Sequence, residues 1–320
     1  MSLASRVTRL LSGRSHEPLQ WTIVTSAPKG EAGEQWGDTW FARDLAAALR
    51  RAGQRARVVS RAGASGDRRA EDDVVLVLRG LRAVLPPLDR SNVWMLWVIS
   101  HPDAVSAEEL RSYDAVFAAS EQWQAPEGVA VTPLLQATDP NRFAPPERFA
   151  ESTEVLFVGS TRGEFRPAVR GALRSGRADD LRLYGVGWTD FVEPSRVTSE
   201  FLANEDLPAA YAGAEIVLND HHRDMAEQGF LSNRLFDAVA SGARVLTDPA
   251  TGLQETFGAS VVVFSGEDHL VELLSQPVDE VFGDDAQRRS AAARIGERHS
   301  FDERARVLIE RAQALGASHE

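Results

Sequence analysis

Residues 229–248 read "GFLSNRLFDAVASGARVLTD". A glycine turn comes first, then the polar triplet Ser232-Asn233-Arg234. Apolar residues at helical spacing follow over 232–241, Gly242 stops the helix, and 243–247 form a β-rich apolar run. The strand "EIVLND" at 215–220 precedes it. Strand, helix and strand in that order make a βαβ unit, whose strands lie parallel in a sheet covered on both faces.

The same alternation extends in both directions. Upstream, "QWTIVTS" at 20–26, "QRARVVS" at 54–60, "DVVLVLRG" at 73–80, "NVWMLWVIS" at 92–100, "DAVFAAS" at 114–120 and "GVAVTP" at 128–133 read as strands. A helix is expected from Asp38 to Ala52, with Asp38 as its N-cap. The span 133–152, "PLLQATDPNRFAPPERFAES", is rich in proline and polar residues and reads as a linker. The pattern then restarts with "EVLFVGS" at 154–160, a helix from about Phe165 and a strand in "DLRLYGVGW". It closes with "SVVVFS", the helix "DHLVELLSQ" and a helical tail from Asp284 to Leu315. Two doubly wound α/β halves follow, with ligands expected at the carboxyl ends of their strands.

Composition narrows the function. The chain has 320 residues, 43% apolar, and carries a net charge of −12, which disfavours nucleic acid as a partner. It has no cysteine, which removes disulfides and thiolate chemistry and fits a cytoplasmic location. Residues 2–14, "SLASRVTRLLSGR", read as a short helix packing on its own domain; weak contact with the inner face of a membrane is the alternative. Arginine supplies nearly every cation, and Lys29 is the only lysine.

Several loops carry candidate chemistry. Ser232 as N-cap would leave the amides of Asn233, Arg234 and Leu235 for a phosphate, with Arg234 adding a cation. Asp237, one turn on, shares the face of Asn233 and would accept ribose hydroxyls. An ordinary capped helix with a solvated aspartate is the plainer reading. "FVGSTRGEFR" at 157–166 offers backbone amides, Ser160, Arg162 and Arg166 to a diphosphate. In "SAPKGEAGEQWGDTW", Lys29 and Gly30 suit an anion or a close backbone approach, and Trp36 a sugar ring; Trp40 is expected in the core. "WVISHPD" sets His101 just past a strand end, where it can meet a sugar hydroxyl or a departing phosphate. "NDHHRD" resembles a metal site only superficially, because adjacent histidines in extended chain point apart. No Asp-x-Asp is present to hold Mg²⁺ on a diphosphate.

With those residues placed, the chain resembles the GT-B glycosyltransferases, most of all the group-1 (family 4) enzymes in the branch with CgeB-like spore-maturation proteins. "QATDPNRFAPP" is similar to the family's crossing between domains, through Asp139, Phe143 and Pro145. "FVGSTR" is similar to the strand opening the donor domain, "GFLSNRLFDAVASGARVLTD" to the donor motif, and "HSFDERARVLIE" to the terminal helix. The resemblance implies two Rossmann-like domains facing across a cleft: residues 1–145 on the acceptor side, 146–298 binding the nucleotide-sugar, and a helix at 299–320 crossing back. It implies retaining, metal-independent transfer from a nucleotide-diphospho-sugar to a glycan or other hydroxyl acceptor, as in cell-surface polysaccharide biosynthesis, with no cofactor. Asp237 falls where the family has its ribose-binding glutamate, and His101 where a histidine meets the donor sugar. The family's earlier glutamate has no counterpart; Gly229 occupies roughly that place. A nucleotide-sugar epimerase of the same fold and a non-catalytic binding protein are the alternatives.

Overall fold

The computed structural model describes residues 18–63 and 72–317. The candidate membrane-contacting segment 2–14 lies outside the described residues. The chain divides into two compact units, one running up to Leu135 and resuming at Phe301, the other spanning Gln136–Ser300.

The first unit is built on six parallel strands: β1 (Gln20–Thr25), β2 (Arg55–Ser60), β3 (Val74–Arg79), β4 (Val93–Val98), β5 (Ala115–Ala118) and β6 (Thr132–Pro133), in the order β2-β1-β3-β4-β5-β6. Every residue of β3 and β4 is buried, as expected of central strands covered on both faces. Helix α1 (Gly37–Arg51) starts one residue before the expected position, with Trp36 at its N-cap. Asp38 therefore lies in the first turn, where its charge complements the helix dipole instead of capping an amide.

The second unit carries β7 (Val155–Val158), helix α2 (Pro167–Arg174), β8 (Leu181–Tyr184), helix α3 (Leu207–Gly213) and β9 (Ile216–Asn219). It continues with helix α4 (Asn233–Ala240), β10 (Val245–Thr247), β11 (Val262–Val263), helix α5 (Glu267–Ser275) and helix α6 (Asp285–Arg298). Its five parallel strands run β11-β10-β9-β7-β8. Phe157, Leu183, Trp188, Leu218, Leu246 and Leu270 fill the core on one side of this sheet.

The segment read as a linker belongs to the second unit from Gln136 onward, its first three residues to the first unit. Gln136, Thr138, Asp139 and Phe143 are buried, the Thr138 amide donates to the His299 carbonyl at 2.9 Å, and Phe143 packs on Tyr211. The expected single tail helix is two helices, α6 and α7 (Phe301–Ala317), broken at His299–Ser300 where the chain bridges to Thr138. Helix α7 belongs to the first unit. Its Phe301, Ala305, Leu308 and Ala312 are buried, and Phe301 meets Phe41 of α1 edge-on at 4.7 Å. Among the described residues no helix is long and apolar enough to cross a membrane.

Candidate functional site

Strand order places the site. In the second unit β7 pairs with both β8 and β9, so the chain winds one way from β7 and then the other. Loops leaving the carboxyl ends of β7 and β9 diverge there and open a crevice, where ligands of doubly wound folds bind.

Two guanidinium groups occupy it. Arg166, 5% exposed, forms an ion pair with Asp220 just past β9. It also donates to the Asp220 carbonyl at 2.8 Å and to the Ser160 carbonyl at 3.1 Å. The Ala168 amide, in the first turn of α2, donates to the same carboxylate at 3.2 Å. Arg234 reaches from α4 to Asn219 Oδ1 at 2.8 Å. Both cations lie over the Phe157 ring, at 5.7 Å for Arg166 and 5.0 Å for Arg234. A Cβ on Gly159 would fall 2.6 Å from the Arg234 guanidinium, so glycine is what admits this side chain. Burial pulls the Arg234 pKa down and Arg166 pulls it further, while Tyr211 and Asp220 oppose them. Burial likewise raises the phenol of Tyr211. Arg166 holds the Asp220 carboxylate, whereas Arg234 is bonded to the neutral Asn219 side chain, and a cation held by a neutral partner suits an anionic ligand.

The first turn of α4 adjoins Arg234. Ser232 sits at the N-cap but makes no side-chain cap, and the Leu235 amide, expected to be open, donates to the Ser232 carbonyl at 3.0 Å. Only the first two amides of the expected three therefore remain for a ligand. Asn233 Nδ2 donates to Asp237 Oδ2 at 2.8 Å, which places both side chains on one face as the spacing requires. Asn233 Oδ1 is buried with no hydrogen-bond partner.

The network continues to a pair that sequence reasoning passed over. Asn219 Nδ2 donates to Thr247 Oγ1 at 2.9 Å, and that hydroxyl lies 3.3 Å from Asp248 Oδ1. Asp248 accepts from the His221 amide at 2.9 Å and meets His221 Nδ1 at 2.6 Å. A carboxylate there accepts the Nδ1 proton and fixes the orientation of the ring. The imidazole is fully buried and Nε2 has no partner. The signal was a histidine just past one strand end and an aspartate just past the next, but the sequence reading weighed His221 only as a metal ligand. Among the described residues no group of three carboxylate, histidine or cysteine side chains gathers as a metal site.

Of the remaining donor-side candidates, Ser160 is half-buried and holds Arg166 through its carbonyl. Arg162 is exposed and left-handed at φ 52°, a conformation that side chains rarely adopt. Gly229 has φ 74° and is buried, so a glutamate at this position would be strained.

In the first unit, Lys29 and Gly30 are exposed in the loop after β1, and Trp36 is half-buried at the start of α1. Trp40 is not core: its indole donates to the Glu34 carbonyl at 2.9 Å and Arg43 stacks on it at 4.8 Å. His101 follows β4 with φ 54° and ψ 54°, its Nδ1 2.9 Å from Ser100 Oγ. It does not cap the next helix, because Ser106 does so through the Glu109 amide at 3.1 Å. Behind it, buried Arg79 pairs with Glu109 at 2.8 Å and donates to the Ala104 carbonyl at 2.7 Å, bracing the turn after His101.

The comparisons with known proteins agree with this architecture. The family described as "Glycosyl transferase-like" matches residues 162–310. Among solved structures, the chain is similar to a sucrose-phosphate synthase from Thermosynechococcus elongatus, with TM-score 0.63, 14% identity, and 93% of this chain and 100% of that one covered. A glycosyltransferase involved in avilamycin A biosynthesis matches with TM-score 0.60, 16% identity, and 93% and 98% covered. A putative UDP-N-acetylglucosamine 2-epimerase from Listeria monocytogenes matches with TM-score 0.51, 10% identity, and 91% and 95% covered. No curated protein matches the chain. The fold is thus that of the GT-B glycosyltransferases, two Rossmann-like domains each with a parallel sheet.

Proposed function

We propose that the protein is a glycosyltransferase that moves a sugar from a nucleotide-diphospho-sugar to a glycan or other hydroxyl acceptor. The observation that carries this reading is the convergence of two guanidinium groups at the β7/β9 switch point, Arg166 paired with Asp220 and Arg234 bonded to the neutral Asn219 side chain. In such a transfer the diphosphate gains charge as it leaves, and prepositioned cations and helix amides stabilise that charge most in the transition state. Arg234 and the first amides of α4 take the phosphates, with Ser160 and Arg162 in the adjoining loop. Arg166 holds that loop and adds to the field. Asn233 and Asp237 meet the ribose. His101 contacts the transferring sugar, and Lys29, Gly30 and Trp36 face the acceptor. Retention of configuration and kinship with the CgeB-like branch rest on the sequence resemblance.

Calorimetric titration with UDP, GDP, TDP and ADP in EDTA tests the reading. One of them binds, and Arg234→Ala weakens it by about 1.5–3 kcal/mol, the worth of a charge-assisted hydrogen bond. Absence of binding by all four would remove the proposal. Metal independence rests on the missing Asp-x-Asp. Activity abolished by EDTA and restored by Mg²⁺ or Mn²⁺ contradicts it.

The His221–Asp248 pair supports a second reading, epimerisation, because an oriented imidazole can exchange a proton with a sugar carbon. Incubation with nucleotide-sugar alone separates the two. An epimerase converts the donor, whereas a transferase hydrolyses it slowly at most.

A further inference from the structure

The opposite edge of the second unit holds a separate cationic cavity. It occupies about 600 Å³ at the amino end of β10, between the last turn of α4 and helix α6. Val239, Val262 and Phe282 supply apolar wall; Arg244, Arg288 and Arg294 supply charge, and among the described residues no carboxylate lines it. Helix α4 separates it from the switch point by about 12 Å, the length of eight helical residues.

The three arginines are unequally satisfied. Arg294 donates to the Phe257 carbonyl at 2.8 Å and to Ser260 Oγ at 2.5 Å. Arg288, 7% exposed, donates to the Gly242 carbonyl at 2.8 Å and to Asp285 at 2.9 Å, with its guanidinium 3.5 Å from the Phe149 ring centroid. Arg244 is 18% exposed, and its Nε is buried with no partner. Its nearest carboxylate, Asp279, is 3.9 Å away and almost wholly in solvent, beyond hydrogen-bond reach. A buried guanidinium N–H without an acceptor is costly, and a bound anion removes that cost. Burial first and Arg244 second lower the pKa of Arg288, and its bond to Asp285 opposes them.

We propose that this cavity binds a small organic anion, a phosphate or carboxylate on an apolar body, through Arg244 and its neighbours. The apolar wall argues against a bare inorganic ion, and the cations against a neutral ligand. The site does not depend on the transferase reading.

The test titrates the full chain with phenyl phosphate, with benzoate and with neutral benzyl alcohol. At least one anion binds and the alcohol does not. Arg244→Gln weakens the anion at least about ten-fold, as loss of a charge-assisted contact does, whereas Arg234→Ala leaves it unchanged. In the unaltered protein, the bound anion also slows phenylglyoxal modification of Arg244, read by mass spectrometry, which avoids reliance on a variant's folding. Binding lost in Arg234→Ala but kept in Arg244→Gln places the anion at the switch point and overturns the proposal. So does failure of both anions to bind, or unprotected Arg244 at saturation.

Discussion

Arg166 and Arg234 differ in what they hold, and that difference separates structure from binding. Arg166 is buried and locks Asp220, so Arg166→Ala strands a buried carboxylate and costs about 3–5 kcal/mol in denaturant unfolding. Arg234→Ala has a smaller effect on unfolding and its main effect on nucleotide affinity. Equal losses of stability in the two variants would show that Arg234 is structural as well. His101 offers a sharper contrast, because its left-handed backbone costs about 1 kcal/mol in a residue with a side chain. His101→Gly should therefore melt no lower than the parent while turnover falls and nucleotide affinity stays. A variant that melts higher and keeps full turnover returns His101 to the scaffold.

The elements that carry these residues were mostly legible in the sequence. Buried parallel strands such as β3 and β4 are unbroken apolar runs, and β9-α4-β10 shows its period and its glycine stop plainly. Legibility failed where long-range contacts decide. The 133–152 span looked like a linker because proline and polar residues mark loops, yet distant partners, His299 and Tyr211, bury part of it. Helix periodicity ran through His299–Ser300 because the bridge to Thr138 that breaks it is invisible locally. The site was half legible: Arg234, Asn233 and Asp237 share one turn, but His221 meets Asp248 only because β9 and β10 are neighbours in the sheet. The close approach at Gly159 makes the helix–loop contact testable without touching a polar group. Gly159→Ala puts a methyl where the Arg234 guanidinium lies, and a flexible side chain yields before backbone does. Nucleotide affinity should fall roughly ten-fold with unfolding changed by less than about 2 kcal/mol. Calorimetry paired with urea denaturation reads both.

Across the whole molecule, buried phenols link stability to alkaline pH. Tyr113 is buried and donates its hydroxyl to the Val84 carbonyl, and Tyr211 is buried beside Arg234. Burial raises both pKa values above that of an exposed tyrosine, near 10. Above that pH the unfolded chain has released these protons and the folded chain has kept them, so stability falls as pH rises. In Tyr184→Phe, which leaves only these two tyrosines, tyrosinate absorbance should appear together with loss of the folded circular dichroism. Absorbance rising near pH 10 with the fold intact contradicts the buried assignment. The division into units has a different consequence, one of timing. Residues 136–300 form one continuous stretch, so every contact of that unit is in hand once Ser300 has left the ribosome. The other unit is made first and finished last, because Phe41 waits for Phe301 while the whole intervening domain is translated. During that interval the nascent chain exposes the apolar groove that α7 will cover, and chaperone occupancy should peak there and end as Leu308 and Ala312 emerge.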